Sequence, residues 1–444
     1  MLSITAEFAR QLTPYLQAPR WLVAYSGGVD SSVLLHLAVQ FSKQCSGPPV
    51  AALHIHHGLS SQADGWQTHC QMQCEALGVA FYTENIRVEN TGKGLEAAAR
   101  TARYANFSQH LAAGELLLQG HHQNDQAETV LFRLFRSAGV KGLSGIAPRR
   151  NLGEAQLLRP CLNVGRDAIE AYAAAHTLES IHDESNDDIS FDRNYMRHEI
   201  LPVITKRWPQ AIKTISASAA HSAEAAALID DLAAIDLAAI CESDEVLNLS
   251  RLLVLPQRRQ TNALKFWLAE KGGQPNAAQL NQIKQQFLGG DVAATPEIKI
   301  GEWQLNRYNG CLYCEPQYDF SKMSALNDQV WDITEPLKLA EHVFLSAKPV
   351  SFGGLSAGAE LALNFDRSGV RFHPSGRGHS NSLKKLMQEY KILPWHRKAI
   401  PQLCVNGELA AVPGVGVSAN FKANSAQQSY CICLTIGRHS YLCE

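Results

Sequence analysis

Apolar and polar positions follow two different periods along the first two hundred residues. Short apolar-rich runs, Trp21–Tyr25, Val50–His56, Val79–Thr83 and Glu115–Gly120, read as strands, and between them Ser32–Phe41, Ala63–Leu77 and Leu95–Leu111 carry helical patterns. Ser61 and Asp64, three apart, stand at the start of the second of these helices like a capping box. Apolar strands separated by helices of this length predict a parallel sheet covered on both faces, an α/β fold. The pattern then changes. Residues 211–240, beyond Trp208-Pro209, are alanine-rich with few breakers and predict a long helix, and a second helix over Gln257–Lys271 follows Pro256. Residues 290–315 turn strand-like, and 316–345 form a polar stretch expected to be a linker. From about 346, short glycine-punctuated strands surround one helix near Leu383–Tyr390. Three parts are expected: an α/β domain over 1–210, a mostly helical domain over 211–318 and a small α+β domain over 346–444.

Length and composition agree with this division. A chain of 444 residues is too long for one ordinary core. With 45% hydrophobic and 18% charged residues, the composition is that of an ordinary soluble protein. No apolar run approaches membrane-spanning length, and the N-terminus lacks a basic region followed by an apolar signal core. A cytoplasmic protein with no membrane partner is expected, its eleven cysteines reduced. Cys70 and Cys74 share a helical pattern with Trp66 and Leu77 and read as small buried hydrophobes. Cys311-Leu-Tyr-Cys314 is formally a C-x-x-C, but it lies in a strand-like run without a second pair at zinc spacing, so no metal site is assigned to it.

Charge changes the picture more. The net charge of −2 hides a gradient, from −2 over 1–210 through −4 over 211–320 to +4 over 321–444. Within 371–398 stand Arg371, Arg377, Lys384, Lys385, Lys391, Arg397 and Lys398 against one acid, Glu389. Such a basic patch on a near-neutral chain points to a polyanionic partner for the C-terminal part.

Candidate chemistry begins at Ser26-Gly27-Gly28-Val29-Asp30-Ser31, between a strand and a helix. Two adjacent glycines let the backbone approach a ligand closely, and the following helix adds the positive end of its dipole, so an anion is expected there. There is no lysine in this turn. The charge of a phosphate must then be met by backbone amides, Mg²⁺ and distant arginines, which leaves Asp30 as a metal ligand or an orienter. The stretch is similar to the pyrophosphate loop of the N-type ATP pyrophosphatases. That resemblance implies cleavage of ATP between the α and β phosphates, adenylation of a substrate oxygen, and a loop that holds the leaving pyrophosphate.

Further motifs narrow the resemblance. His54-Ile-His56-His57 ends the second strand, a place for base or ribose contacts beside a nucleotide loop. Gly120-His121-His122-Gln-Asn124-Asp125-Gln-Ala-Glu128-Thr129 ends the fourth strand and opens a helix, with Asp125 and Glu128 three apart on one face of its first turn. Acids there suit the helix dipole; they equally suit recognition of a cation or deprotonation of an amine. Arg100 and Arg103, at i,i+3 in Arg-Thr-Ala-Arg-Tyr104, read either as exposed charge or as stabilisers of charge at the α-phosphate. Arg193 and Arg197, at i,i+4 after His182-Asp183-Glu-Ser185-Asn186-Asp-Asp188, are placed either to grip a backbone phosphate or to pair with nearby acids.

In this order, and with Leu383-Lys384-Lys385-Leu-Met-Gln388 followed by Pro394-Trp395, these motifs resemble the bacterial tRNA(Ile)-lysidine synthetases over nearly the whole chain, in their long three-domain form. One departure is Asn124, where that family has the first of two acids. The resemblance implies that the wobble cytidine of isoleucine tRNA with a CAU anticodon is adenylated at its C2 oxygen by ATP with Mg²⁺, and that free L-lysine then displaces AMP. It implies Ser26–Ser31 and His54 on ATP, Asp30 on the metal, and Arg100 and Arg103 at the α-phosphate. It places Asp125 and Glu128 on lysine, and Arg193, Arg197, Arg377, Lys384 and Lys385 on tRNA. Rival readings are a tRNA 2-thiolation enzyme, which needs a well-placed cysteine pair, an amide-forming synthetase, and a non-enzymatic nucleotide-binding module.

Overall fold

The computed structural model describes residues 3–56, 62–85, 95–289, 296–351, 353–356, 360–423 and 428–443. The chain forms two compact units, Met1–Ile229 and Asp230–Glu444.

The first unit is built on a six-stranded sheet. In chain order its elements are α1 (Ile4–Leu12), β1 (Trp21–Ala24), α2 (Val29–Cys45), β2 (Val50–His56), α3 (Ala63–Leu77), β3 (Ala80–Asn85), α4 (Leu95–Gln109), β4 (Leu116–Leu118), α5 (Gln123–Leu134), α6 (Val140–Leu143), β5 (Arg149–Leu152), β6 (Ala155–Leu158) and α7 (Arg166–Ala175). The strand order is β3-β2-β1-β4-β6-β5, with all neighbours parallel except the β5–β6 hairpin. Strand β1 shows why the sheet is central. Trp21 and Val23 enter the core beneath α1, α2 and α7, while Leu22 enters the opposite core with Leu53, Phe107, Leu117 and Leu157, as a period-2 strand buried on both faces requires. Each such side chain contributes about 1.5–3 kcal/mol on burial.

The expected alternation holds, with differences at the edges. Helix α2 starts at Val29 rather than Ser32, because Gly28 in an extended conformation serves as its N-cap and Ser31 and Ser32 fall inside the first turn. Helix α3 has the bounds its pattern predicts and ends at Gly78 with φ +69°. The β5–β6 hairpin, turning at Gly153 with φ +59°, was not legible, since Arg149-Arg150-Asn151 carry no apolar period. Past α7 the chain adds a short helix, Asp192–Tyr195, which continues in a wider-turned segment, Met196–Ile200.

In the second unit, helix Gln257–Glu270 packs Ala263, Leu264, Trp267 and Leu268 against a five-stranded antiparallel sheet containing Trp303–Tyr308 and Cys311–Pro316. The remainder forms two further five-stranded antiparallel sheets and a two-stranded one around a core that includes Leu361, Leu386, Val412 and Leu434. The stretch expected as a linker joins this fold: Val330–Trp331 and Leu337–Ala340 are strands, and Trp331 is buried with its indole N–H donating to Glu335 O. Its few apolar residues are spaced too widely to show a period. Among the described residues no helix is long and apolar enough to cross a membrane.

Candidate active site

The site lies where β1, β2 and β4 end, the edge at which an open parallel sheet holds its ligand. Gly27 has φ +85°, and a Cβ there would collide with Ile181 Cδ1 and stand 2.9 Å from Cys70 Sγ. Glycine is therefore required twice over, by backbone conformation and by space. The loop's hydroxyls stiffen it: Ser31 donates to Gly28 O at 2.9 Å, Ser26 and Ser31 hydroxyls lie 3.1 Å apart, and Ser32 donates to Gly27 O at 3.3 Å. Val29 and Asp30 open α2, whose seventeen residues aim their dipole at the loop. Gly120, at the end of β4, completes the floor, since a Cβ there would meet Asp30 O at 3.1 Å and Ser31 N at 3.4 Å.

His54 is buried at the end of β2, with Nδ1 3.0 Å from Tyr25 O and 3.6 Å from Cys70 Sγ. Burial lowers its pKa against the opposing bond to Tyr25, so this ring stays neutral beside the loop. The first of the two arginines expected at the α-phosphate, Arg100, has its side chain outside the described residues. Arg103 is exposed on α4.

Fully buried His122 joins the loop to the acids. Its Nε2 lies 3.6 Å from Asp30 Oδ1 and 3.6 Å from Asp125 Oδ2. It also caps α5, accepting at Nδ1 from Asn124 N while Asp125 accepts from His122 N. Burial opposes protonation of His122, but Asp30, Asp125 and Glu128 outweigh it and raise its pKa. Burial likewise opposes ionisation of Asp125, yet the charges of His122 and Arg193 hold it below the usual aspartate value.

Arg193 and Arg197 are turned onto these acids. Arg193 donates to Asp125 Oδ1 at 2.8 Å and Glu128 Oε2 at 3.0 Å, and Arg197 donates to Glu128 Oε1 at 2.7 Å and Asp125 Oδ1 at 3.3 Å. Of the two alternatives open in the sequence, the structure has the pairing with acids. Glu128 is only 1% exposed, and a buried carboxylate without such partners would be costly. Asn124, the departure from the family pattern, accepts from Arg166 N through Oδ1 at 3.2 Å, a bond that needs an oxygen and no charge.

Sequence reasoning missed Arg159. This buried guanidinium, just past β6, donates to His121, Ala147, Gln119 and Tyr104. Its signal was an arginine at the carboxyl end of a parallel strand, the same end that carries the loop.

In the second unit, Ser382 caps the helix Leu383–Glu389, which presents Lys384 and Lys385 to solvent. Arg377 pairs with Glu389 at 2.7 Å, and Lys385 approaches it at 4.0 Å, so the one acid of this basic stretch is neutralised. Cys311 and Cys314, three apart on one strand, leave opposite faces, and burial pushes the Cys314 thiol up to about 12. They make no pair for sulfur transfer.

Comparison with known proteins agrees with this geometry. A family model described as the PP-loop domain matches residues 2–204, one for the TilS substrate binding domain matches 247–313, and one for the TilS substrate C-terminal domain matches 361–433. A tRNA(Ile)-lysidine synthase of Coxiella burnetii is 37% identical over 422 residues, covering 94% of this chain and 93% of that protein. Those of Pseudomonas fluorescens and Serratia proteamaculans are 37% and 36% identical, covering 94% and 96% of this chain and 95% and 97% of their own lengths. With a glycine loop opening a helix, an acid pair joined to it by one histidine, and relatives matched over more than nine-tenths of its length, the chain belongs to the tRNA(Ile)-lysidine synthase family.

Proposed function

We propose that this enzyme attaches free lysine to C2 of the wobble cytidine of isoleucine tRNA bearing a CAU anticodon. The cytidine O2 attacks the α-phosphorus of ATP and pyrophosphate leaves from the loop. The lysine ε-amine then adds at C2, AMP departs with the C2 oxygen, and the amine's proton passes to solvent. The observation that carries the reading is the physical link between loop and acids: His122 lies between Asp30 and Asp125, so the adenylation and amine sites adjoin.

Asp125 and Glu128 serve the lysine ammonium by orienting it. Asp125, held below the usual carboxylate range, is a weak base, and both acids already accept from Arg193 and Arg197. The amine must therefore share or displace a guanidinium, which makes these arginines part of the lysine site as well as candidates for the RNA backbone. A magnesium ion fits at Asp30, whose buried Oδ1 has no hydrogen-bond partner. An Mg²⁺ ion there would be bound by one carboxylate, waters and substrate phosphates. When bound, it would neutralise phosphate charge. Ser26, Gly27, Gly28, Val29 and Ser31 hold the pyrophosphate, while His54 lies beside the nucleotide, and Arg100 and Arg103 act near the α-phosphate. Arg377, Lys384 and Lys385 engage tRNA phosphates through the C-terminal part.

The test is pyrophosphate release from ATP with isoleucine tRNA, with and without lysine, followed by nucleoside analysis. Lysidine formed only with lysine present is the expected result; turnover without tRNA, or sulfur at C2, would redirect the assignment.

A further inference from the structure

Arg159 is 4% exposed, and its guanidinium donates to four described residues. Nε reaches His121 Nδ1 at 3.1 Å, Nη1 reaches Ala147 O at 2.7 Å, and Nη2 reaches Gln119 Oε1 at 2.9 Å and Tyr104 Oη at 3.0 Å. One of these bonds has a chemical consequence. A guanidinium has donors only, so His121 Nδ1 must be the acceptor. The ring then carries its proton on Nε2, because the bond made by one imidazole nitrogen sets the state of the other.

His121 directly follows Gly120, whose backbone is packed against Asp30 O and Ser31 N at the start of α2. It therefore stands one residue beyond a backbone position packed against the loop, on the sheet edge where nucleotide is held. A histidine free to exchange tautomers would offer a lone pair to a phosphate oxygen part of the time, and a lone pair facing an anion repels it. A histidine whose Nδ1 is occupied by a fixed donor always offers an N–H.

We propose that Arg159 is a positioning residue that fixes His121 as a neutral Nε2–H donor to the α-phosphate oxygens of the nucleotide held at the loop. His121 supplies the contact to the reacting group, and Arg159 acts only through it. The three other bonds of Arg159 hold the guanidinium in place, tying the end of β4, helix α4 and the segment before β5 to the same imidazole. This assignment rests on the adenylation reading for the identity of the anion, but the tautomer itself does not depend on it.

Two measurements test it. In the full-length enzyme labelled with ¹⁵N-histidine, the resonances that disappear in His121→Ala should show an unprotonated Nδ1 and a protonated Nε2 at neutral pH. A proton on Nδ1 would overturn the proposal, whatever any variant does. The second is a double-mutant cycle on tRNA-dependent pyrophosphate release at saturating substrates. His121→Ala should lower kcat by about a hundredfold, as for loss of a preorganised donor. Arg159→Met should lower it by roughly tenfold or more in the wild-type background and by less than about threefold in His121→Ala, with the KM for ATP within about twofold throughout.

Effects that multiply in the double variant would show that Arg159 merely supports the fold, and the proposal would fail. Should Arg159→Met not fold, Arg159→Lys takes its place, with the same non-additivity expected. A wild-type enzyme that releases no pyrophosphate with tRNA would refute the adenylation reading, and the nitrogen resonances would still decide the tautomer.

Discussion

At the scale of single residues, the site is a chain of charges in which each member sets the next. Asp30 and Asp125 raise the His122 pKa, His122 and Arg193 lower that of Asp125, and Arg197 balances Glu128. Replacing Glu128 by alanine removes the carboxylate that both guanidiniums reach through Nε. The expected outcome is a loss of about 3–5 kcal/mol in denaturant unfolding, the usual cost of breaking a buried ion pair. The KM for lysine should also rise at least about tenfold while the KM for ATP stays within about twofold, as steady-state kinetics will show. An unchanged lysine KM in Glu128→Ala and in Asp125→Ala would remove both residues from the lysine site.

At the scale of elements, the loop and the helix it opens are a single device, and the two glycines within it are not equivalent. Gly27→Ala forces a side chain to φ +85° and into Ile181 and Cys70, so a loss of about 2–4 kcal/mol is expected in thermal or denaturant unfolding. Gly28 has extended backbone, and the nearest atom to an added Cβ is Ser26 Oγ at 3.6 Å. Gly28→Ala should leave stability within about 1 kcal/mol, so that any change in its kinetics reports contact with the nucleotide. The basic helix Leu383–Glu389 is the corresponding element of the second unit. Replacing Lys384 and Lys385 by glutamine should weaken tRNA binding. It should also reduce the slope of log affinity against log salt by up to about 0.9 for each phosphate no longer neutralised; an unchanged slope would take this helix off the RNA.

Across the molecule, the second unit is held together by a buried polar cluster. Glu315, 1% exposed on the strand Cys311–Pro316, accepts from Trp395 Nε1 at 2.9 Å and His396 Nε2 at 2.8 Å, and pairs with His439 Nε2 at 2.7 Å. The Tyr441 hydroxyl lies 2.8 Å from His396 Nδ1. Burial would raise the Glu315 pKa, but the bonds from His396 and His439 bring it down to about 2, and Glu315 raises that of His439. A lowered carboxylate stabilises above its ordinary 4.5 and ceases to as pH falls toward 2. A raised histidine stabilises below its ordinary 6.5 and ceases to as pH climbs through its higher folded value. The stability difference between wild type and Glu315→Gln should therefore be greatest between pH 4.5 and 6.5 and shrink on both sides. A difference independent of pH from 3 to 9 would show that charge at this cluster contributes nothing.

Much of the protein was legible in one dimension. The strand–helix alternation, the bounds of β2 and α3, the glycine loop and the acid pair all follow from local pattern: period, glycine and spacing are properties of neighbouring residues. What the tertiary structure decided is how distant charges meet. Arg193 and Arg197 stood equally ready for phosphate or for acids until packing laid the helix Asp192–Tyr195 against α5, and nothing in the spacing of 125, 128, 193 and 197 forces that. Asn124 looked like a missing charge until its oxygen was found on Arg166 N. Arg159 and Glu315 were silent in the sequence, because a buried charge is recognisable only by the neighbours that make burial tolerable, and those neighbours lie as far along the chain as Tyr104 and His439.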